Sequence, residues 1–108
     1  MFQEIDVREF FRRQENGERF HLLDVRQPWE HELVALPDSQ LIPLSQLPMR
    51  LNEVQPAEGC AVVVYCHHGV RSRQGAALVA SAGHRPVYSL AGGIEAWSVL
   101  VDPTVRRY

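Results

Sequence analysis

The sequence predicts an α/β sandwich in which helices cover both faces of a parallel central β-sheet. Apolar runs of strand length alternate with segments of helical periodicity, and turn residues separate them. Residues 61–65 are apolar throughout, which is typical of a central strand of a parallel sheet because both of its faces are buried. A chain of 108 residues suffices for one domain.

The first half of the chain is expected to contain three extended pieces and three helical segments. They are, in order, a strand at residue 5, a helix from 7 to about 16, a strand over 20–25, a helix over 28–32, an extended piece at 41–42 and helical spacing over 44–51. Asp6 is a suitable N-cap for the first helix, and Gly17 is expected just beyond its end. Pro28 fits the first turn of the second helix, where its missing N–H costs nothing.

The second half repeats the alternation of strand and helix. The central strand over 61–65 is followed by a helix over 72–82, a strand over 86–90, a helical turn at 94–97 and a tail over 99–108. Gly83 ends the long helix, and Gly92 and Gly93 are expected in a tight turn. Arg106 and Arg107 are expected to be solvated.

The composition is that of a globular chain with balanced charge. Apolar residues make up 45% of the chain and charged residues 22%. With 11 Lys and Arg against 13 Asp and Glu, the formal net charge is −2. This balance provides no overall attraction to nucleic acid or to an anionic membrane, so we expect neither as a partner.

The two cysteines, Cys60 and Cys66, flank the central strand. An extended strand separates them by about 20 Å, whereas a disulfide requires Cα atoms about 5.5 Å apart. Free thiols suit a reducing compartment. The N-terminus carries charges where a secretory signal needs an apolar run, and no stretch approaches the roughly 20 apolar residues of a membrane span. We therefore expect a cytoplasmic protein, and nothing indicates more than a monomer.

The loop after the central strand carries the predicted chemistry. Its sequence is Cys66-His67-His68-Gly69-Val70-Arg71, and a helix follows from Ser72. Open α/β sheets place their sites beyond the carboxyl ends of the strands, which is where Cys66 falls. The N-terminus of the following helix offers backbone N–H groups and a positive dipole end, which favour a thiolate. Gly69 allows the backbone to curl, so that N–H groups from His67 to Ser72 can surround a large anion such as a persulfide.

Four segments resemble, in order, elements of the rhodanese family. They are Leu22-Leu-Asp-Val-Arg26 with Glu30, Ile42-Pro-Leu44, the loop from Cys66 to Arg71, and Ser89-Leu-Ala-Gly-Gly-Ile-Glu-Ala-Trp97. They imply a rhodanese-like three-layer sandwich formed by a single domain over 1–108, with its core at about 3–98. Many members carry Gly-His-Ile-x-Gly-Ala before the Ile-Pro-Leu element, whereas residues 36–41 here are Leu-Pro-Asp-Ser-Gln-Leu.

The resemblance implies a thiosulfate sulfurtransferase that requires no cofactor and no metal. Cys66 is the expected catalytic nucleophile, taking sulfane sulfur from a small-molecule donor such as thiosulfate and passing it from a persulfide to cyanide or a thiol. The loop residues 67–72 are expected to hold the persulfide, and Arg71 to bind an oxyanion donor through its forked N–H groups.

Residues near the same sheet edge are expected to support the loop. Asp24 and Arg26 end the neighbouring strand and either orient the loop or line its mouth. Arg26 and Glu30 stand four residues apart, which allows a simple pair between them. His67 and His68 are either solvated or part of the site. A metal site is not expected, because zinc ligands are spaced by two or more residues.

Two other functions remain open. Cysteine phosphatases and arsenate reductases use a related loop, but phosphatases need five residues between cysteine and arginine, and only four separate Cys66 from Arg71. The second alternative is a non-enzymatic persulfide carrier that docks on a partner protein and exchanges sulfur with it. The residues of such a carrier are the same as those of the enzyme.

Overall fold

Five strands form from the apolar runs of the sequence. In the computed structural model, which describes residues 1–108, they are β1 (Gln3–Asp6), β2 (Phe20–Asp24), β3 (Gln40–Leu41), β4 (Ala61–Tyr65) and β5 (Val87–Ala91). All pairs are parallel, in the order β1-β5-β4-β2-β3. The all-apolar strand β4 lies at the centre of the sheet, so the prediction from its composition is confirmed.

Four helices connect successive strands, and a fifth follows the last strand. They are α1 (Val7–Glu15), α2 (Pro28–Leu33), α3 (Leu47–Arg50), α4 (Arg71–Ser81) and α5 (Gly93–Leu100), and α3 continues into a 3₁₀ turn at Leu51–Glu53. Asp6 caps α1, since its carboxylate accepts a hydrogen bond from the Glu9 N–H at 2.8 Å. Helix α5 is longer than the single turn predicted at 94–97.

Two apolar cores lie on opposite faces of the sheet. The side chains of β4 alternate between them, with Val62 and Val64 on one face and Val63 and Tyr65 on the other. The first core packs against α3 and α4, and the second against α1 and α5. The predicted three-layer sandwich, with helices on both faces of a parallel sheet, is confirmed.

The segment between α2 and β3 is anchored by hydrogen bonds to a buried side chain of the second core, that of Tyr65. The Tyr65 hydroxyl accepts a hydrogen bond from the Leu36 N–H at 3.1 Å and lies 2.8 Å from the Ser39 hydroxyl. Leu36 itself is buried. Residues 36–39, which differ from the usual family element, therefore form an ordered turn that is hydrogen-bonded to Tyr65 at the end of β4.

The C-terminal tail packs back on the domain, although Arg106 and Arg107 are themselves exposed, as expected. The Ser98 hydroxyl donates to the Val105 carbonyl at 2.6 Å, and Arg107 pairs with Glu95 at 2.6 Å. The side chains of Val105 and Tyr108 pack against the second core. No helix of the chain has both the length and the apolar character needed to cross a membrane.

Candidate active site

Cys66 follows β4 directly, at the carboxyl edge of the sheet, and its side chain is buried among apolar residues. Its sulfur accepts hydrogen bonds from the Gly69 N–H at 3.2 Å and from the Ser72 N–H at 3.3 Å. Ser72 lies in the first turn of α4, where backbone N–H groups have no acceptor within the helix, and its N–H donates to the sulfur instead. The strand, the loop and the helix together form a partial ring of donors around a nucleophilic atom.

Helix α5 fixes the beginning of the loop. The Ile94 N–H donates to the Cys66 carbonyl at 2.9 Å, and the Glu95 N–H donates to the His67 carbonyl at 3.0 Å. The C=O and N–H of a trans peptide point in opposite directions. The N–H groups of His67 and His68 therefore point away from α5. Gly93 makes this approach possible, because a Cβ at that position would collide with both carbonyls.

Gly69 has the conformation that its identity predicts. Its φ of +93° is one that residues with a side chain rarely adopt. A Cβ on Gly69 would lie 2.8 Å from the Gly92 nitrogen in the turn after β5. The loop can therefore curl around the sulfur only while this position carries no side chain.

Arg71 and Glu30 form a bidentate ion pair, with the two guanidinium nitrogens at 2.7 and 3.0 Å from the two carboxylate oxygens. Burial acts to raise the pKa of Glu30, but the hydrogen bonds from Arg71, Tyr108 and Gln27 outweigh it and lower that pKa to about 2. The carboxylate is therefore ionised at neutral pH, and it neutralises the arginine that ends the loop.

Arg26 does not pair with Glu30, so that expectation is wrong. Its guanidinium binds the Asp24 carboxylate at 2.9 and 2.8 Å, and both side chains are fully buried. The reason is that α2 starts only at Pro28, so Arg26 lies outside the helix, and the helical spacing of four does not bring its side chain to Glu30. His31 adds a contact to Asp24 at 2.8 Å.

Aromatic rings cover one side of the loop. The His67 ring is stacked between His68, with centroids 3.9 Å apart, and Tyr108, with centroids 3.8 Å apart and planes 8° apart. Burial lowers the pKa of His67, and the neighbouring His68 lowers it further. The Nε2 of His67 is buried without a hydrogen-bond partner.

The structure brings together every residue predicted for the site and adds two. Val70 is mostly exposed, and the rest of the loop forms the ring and its aromatic wall. Sequence reasoning missed the partner of Arg71, although Glu30 was noted within the resembling segment, and it missed Tyr108 altogether. The only local signal for Tyr108 is its apolar spacing after Val101 and Val105, which also pack on the second core.

A family model for the rhodanese-like domain matches residues 6–100. The chain belongs to the rhodanese-like domain family. A sulfurtransferase of Allochromatium vinosum is 35% identical to this rhodanese-like domain over 98 residues, which cover 91% of the chain and 90% of that protein. The adenylyltransferase and sulfurtransferase MOCS3 of Arabidopsis thaliana is 33% identical over 118 residues, and the match covers 96% of the chain but only 25% of that protein. Relatives of this kind thus include both free-standing and fused domains.

Solved structures agree with the assignment of this rhodanese-like domain. A rhodanese-related protein from Thermoplasma volcanium superposes with a TM-score of 0.80 at 25% identity, over 98% of this chain and 99% of that one. The reduced CoADR-RHD of Bacillus anthracis superposes with a TM-score of 0.79 at 28% identity, and the match covers 96% of this chain and 18% of that one.

Proposed function

We propose that this rhodanese-like domain is a sulfurtransferase that carries sulfane sulfur as a persulfide on Cys66. The observation that supports the proposal most directly is the pair of N–H groups, from Gly69 and Ser72, within hydrogen-bonding distance of the sulfur. Donors of this kind stabilise a thiolate and then the anionic sulfur bonded to it. The name of the Allochromatium vinosum relative agrees with this chemistry.

The reaction runs in two steps. The Cys66 thiolate attacks the outer sulfur of the donor, the new S–S bond forms, and the donor's own bond to that sulfur breaks. The leaving group, sulfite from thiosulfate or a thiolate from a persulfide, departs with the electron pair. An acceptor such as cyanide or a thiol then takes the outer sulfur and returns Cys66 to a thiolate.

The surrounding residues position this sulfur. The N–H groups of residues 67–72 hold the persulfide anion, and Arg71 ends the loop with its guanidinium fixed on Glu30. Asp24 and Arg26 support the loop indirectly. Arg26 is paired with Asp24 and donates to the Tyr108 hydroxyl, which in turn donates to Glu30, the partner of Arg71. The contact of Arg71 with an oxyanion donor that the sequence predicts would require the guanidinium to leave Glu30.

The test is the intact mass of the protein after treatment with a sulfur donor. One added sulfur atom should raise the mass by about 32 Da, as a covalent intermediate requires. Acceptor should then remove the increment. The matched controls are Cys66→Ser and Cys60→Ser, since only the first should prevent the adduct. A wild-type protein without the adduct, or an adduct on the Cys66→Ser variant, would contradict the proposal.

A second candidate is a persulfide carrier that receives sulfur from a partner protein and passes it on. The fused relatives support it, because in them a domain like this one makes up about a quarter of a chain that also has an adenylyltransferase name. Sluggish turnover with small donors, combined with rapid transfer from a protein persulfide, would favour the carrier. For either role we propose a monomer in the cytoplasm, where its two free thiols stay reduced.

The phosphatase alternative has less support. Four residues separate Cys66 from Arg71, and the guanidinium that would have to bind a phosphoryl group is paired with Glu30 instead. Hydrolysis of an aryl phosphate that depends on Cys66 would revive it.

A further inference from the structure

Four arginines in and around the active-site loop are paired with carboxylates. The pairs are Arg71 with Glu30, Arg26 with Asp24, Arg73 with Glu4, and Arg107 with Glu95, at 2.7, 2.8, 2.7 and 2.6 Å respectively. Each cation therefore has its charge compensated by a neighbouring anion. The attraction that remains for an incoming anion comes from backbone N–H groups, which suit one negative charge on sulfur better than a dianion.

Tyr108 keeps Glu30 in place on Arg71. Its hydroxyl donates to the Glu30 carboxylate at 2.6 Å, and the Gln27 N–H donates to the same carboxylate at 2.9 Å. With the two bonds from Arg71, the carboxylate accepts four hydrogen bonds and is nearly buried. A group held this firmly does not move aside when an anionic donor arrives, so the charge of Arg71 stays neutralised.

The surface beside the ion pair is aromatic and apolar. Trp29 is 61% exposed and precedes Glu30, while Val70 is 69% exposed and precedes Arg71. The Trp29 ring also meets the Tyr108 ring edge-on at 5.9 Å. A donor with an organic body can pack on such a surface, whereas a small, strongly hydrated dianion gains nothing from it.

We propose that this site, acting as the sulfurtransferase proposed above, prefers organic persulfides to thiosulfate, and that Glu30 and Tyr108 are the residues that set this preference. Organic persulfides carry at most one charge on the reacting group. Glu30 acts through its charge, and Tyr108 is a positioning residue that acts through Glu30. In the preferred reaction the Cys66 thiolate forms a bond to the outer sulfur of the persulfide, and an organic thiolate leaves with the electron pair.

The test compares two donors on wild-type protein and variants. Thiosulfate and the persulfide of N-acetylcysteamine, whose only ionisable group is the persulfide, are each mixed with the protein. The rate constant for the mass increment on Cys66 is then followed in a single turnover. Wild-type protein should load at least about tenfold faster from the persulfide than from thiosulfate at equal concentrations.

Glu30→Gln should change that ratio, since it removes the negative charge and keeps the shape. The thiosulfate rate relative to the persulfide rate should rise about tenfold. Tyr108→Phe keeps the stacked ring but removes one of the four hydrogen bonds to the Glu30 carboxylate, and it should shift the ratio in the same direction by about threefold. Glu53→Gln is the matched control, because it frees Arg50 at an exposed ion pair in the turn after α3. It should leave the ratio unchanged.

Different failures separate the two proposals. If wild-type Cys66 accepts no sulfur from either donor, the sulfurtransferase proposal itself is wrong. If Cys66 is loaded but prefers thiosulfate, or if the ratio stays the same in the Glu30 and Tyr108 variants, the inferred donor preference is wrong. Should Glu30→Gln fail to fold, the wild-type ratio and the Tyr108→Phe ratio still decide the question.

Discussion

Tyr108 and Glu30 stand 78 residues apart in the chain, yet the phenol oxygen of Tyr108 donates a hydrogen bond to the Glu30 carboxylate over 2.6 Å. The same oxygen accepts a hydrogen bond from Arg26 at 2.7 Å. Burial, together with the bond to Glu30, raises the pKa of Tyr108 to about 12. One hydroxyl therefore joins the buried Asp24–Arg26 pair to the Glu30–Arg71 pair at the end of the loop after β4.

Tyr108→Phe should destabilise the protein by about 1–3 kcal/mol, because it removes the only partner of one Arg26 nitrogen inside the fold. Denaturant unfolding of both proteins measures this difference. Arg107→Gln is the control in the same tail, since it breaks an exposed pair with Glu95 and should change the stability little. Equal stabilities of Tyr108→Phe and wild type would contradict the role assigned to the hydroxyl.

The stabilisation contributed by Glu30 should depend on pH in a defined window. Its pKa in the folded protein is about 2, below the roughly 4.3 of an unfolded chain. A lowered pKa means that the stabilisation is fully present above about pH 4.3 and is lost as the pH falls to about 2. The free energy of unfolding of wild type minus that of Glu30→Gln should then fall by roughly 3 kcal/mol across this range. A difference that is independent of pH would show that Glu30 is not held as an anion.

Gly69→Ala should abolish most sulfur loading of Cys66. The added Cβ would meet the Gly92 nitrogen, and the φ of +93° is unfavourable for alanine, so the loop must open and withdraw its N–H groups. We expect at least a tenfold slower mass increment, the loss produced by removing about 1.4 kcal/mol of transition-state stabilisation. Gly83→Ala is the matched control.

The Gly83→Ala control separates the effect of placing alanine at a positive φ from the effect of a collision between the new Cβ and a neighbouring atom. Gly83 has a φ of +101°, but a Cβ there would meet nothing within 4 Å. Gly83→Ala should therefore cost on the order of 1 kcal/mol of stability and leave sulfur loading unchanged. If both variants loaded at the wild-type rate, the tight curl at Gly69 would not be needed for the chemistry.

Ser72→Ala should load sulfur at the wild-type rate, because the donor to Cys66 is the backbone N–H rather than the hydroxyl. The hydroxyl lies 2.7 Å from that of Ser89, and both residues are fully buried. The single variant should lose about 1–2 kcal/mol of stability, since it leaves the Ser89 hydroxyl unpaired.

The double variant Ser72→Ala with Ser89→Ala should recover much of that loss, because no buried hydroxyl remains without a partner. Urea unfolding of the four proteins in the cycle gives the coupling between the two hydroxyls. Strictly additive losses, or a large loss of activity in Ser72→Ala, would contradict this assignment.

The fold and the cysteine loop could be predicted from the sequence because their signals are local. The all-apolar run 61–65 indicates a central strand by composition alone. Gly69 stands only three residues after Cys66, so it predicts a tightly curled loop without any knowledge of the rest of the fold. The pairs around the loop could not be predicted in the same way. Glu30 and Arg71 stand 41 residues apart, so their contact depends on how strands β2 and β4 are paired.

Helix α5 is longer than expected, and the tail is more closely packed than its arginines alone indicate. Helix α5 extends to Leu100 because Gly92 and Gly93 start it and Trp97 packs against Phe10, with ring centroids 5.5 Å apart. In the tail, Arg106 and Arg107 are exposed, as expected. Its apolar residues Val105 and Tyr108 nevertheless pack on the second core, because this removes their apolar surface from water.

The positions of Cys60 and Cys66 at opposite ends of β4 limit how a persulfide on Cys66, as proposed, could be resolved. The strand holds the two thiols apart by about the length of the sheet, roughly 20 Å, and both are free. No second thiol of the chain can therefore reach a loaded Cys66 and resolve it into an internal disulfide. In the proposed reaction, a molecule from outside must therefore collect every sulfur atom that Cys66 accepts, and Cys66 stays loaded until that molecule arrives.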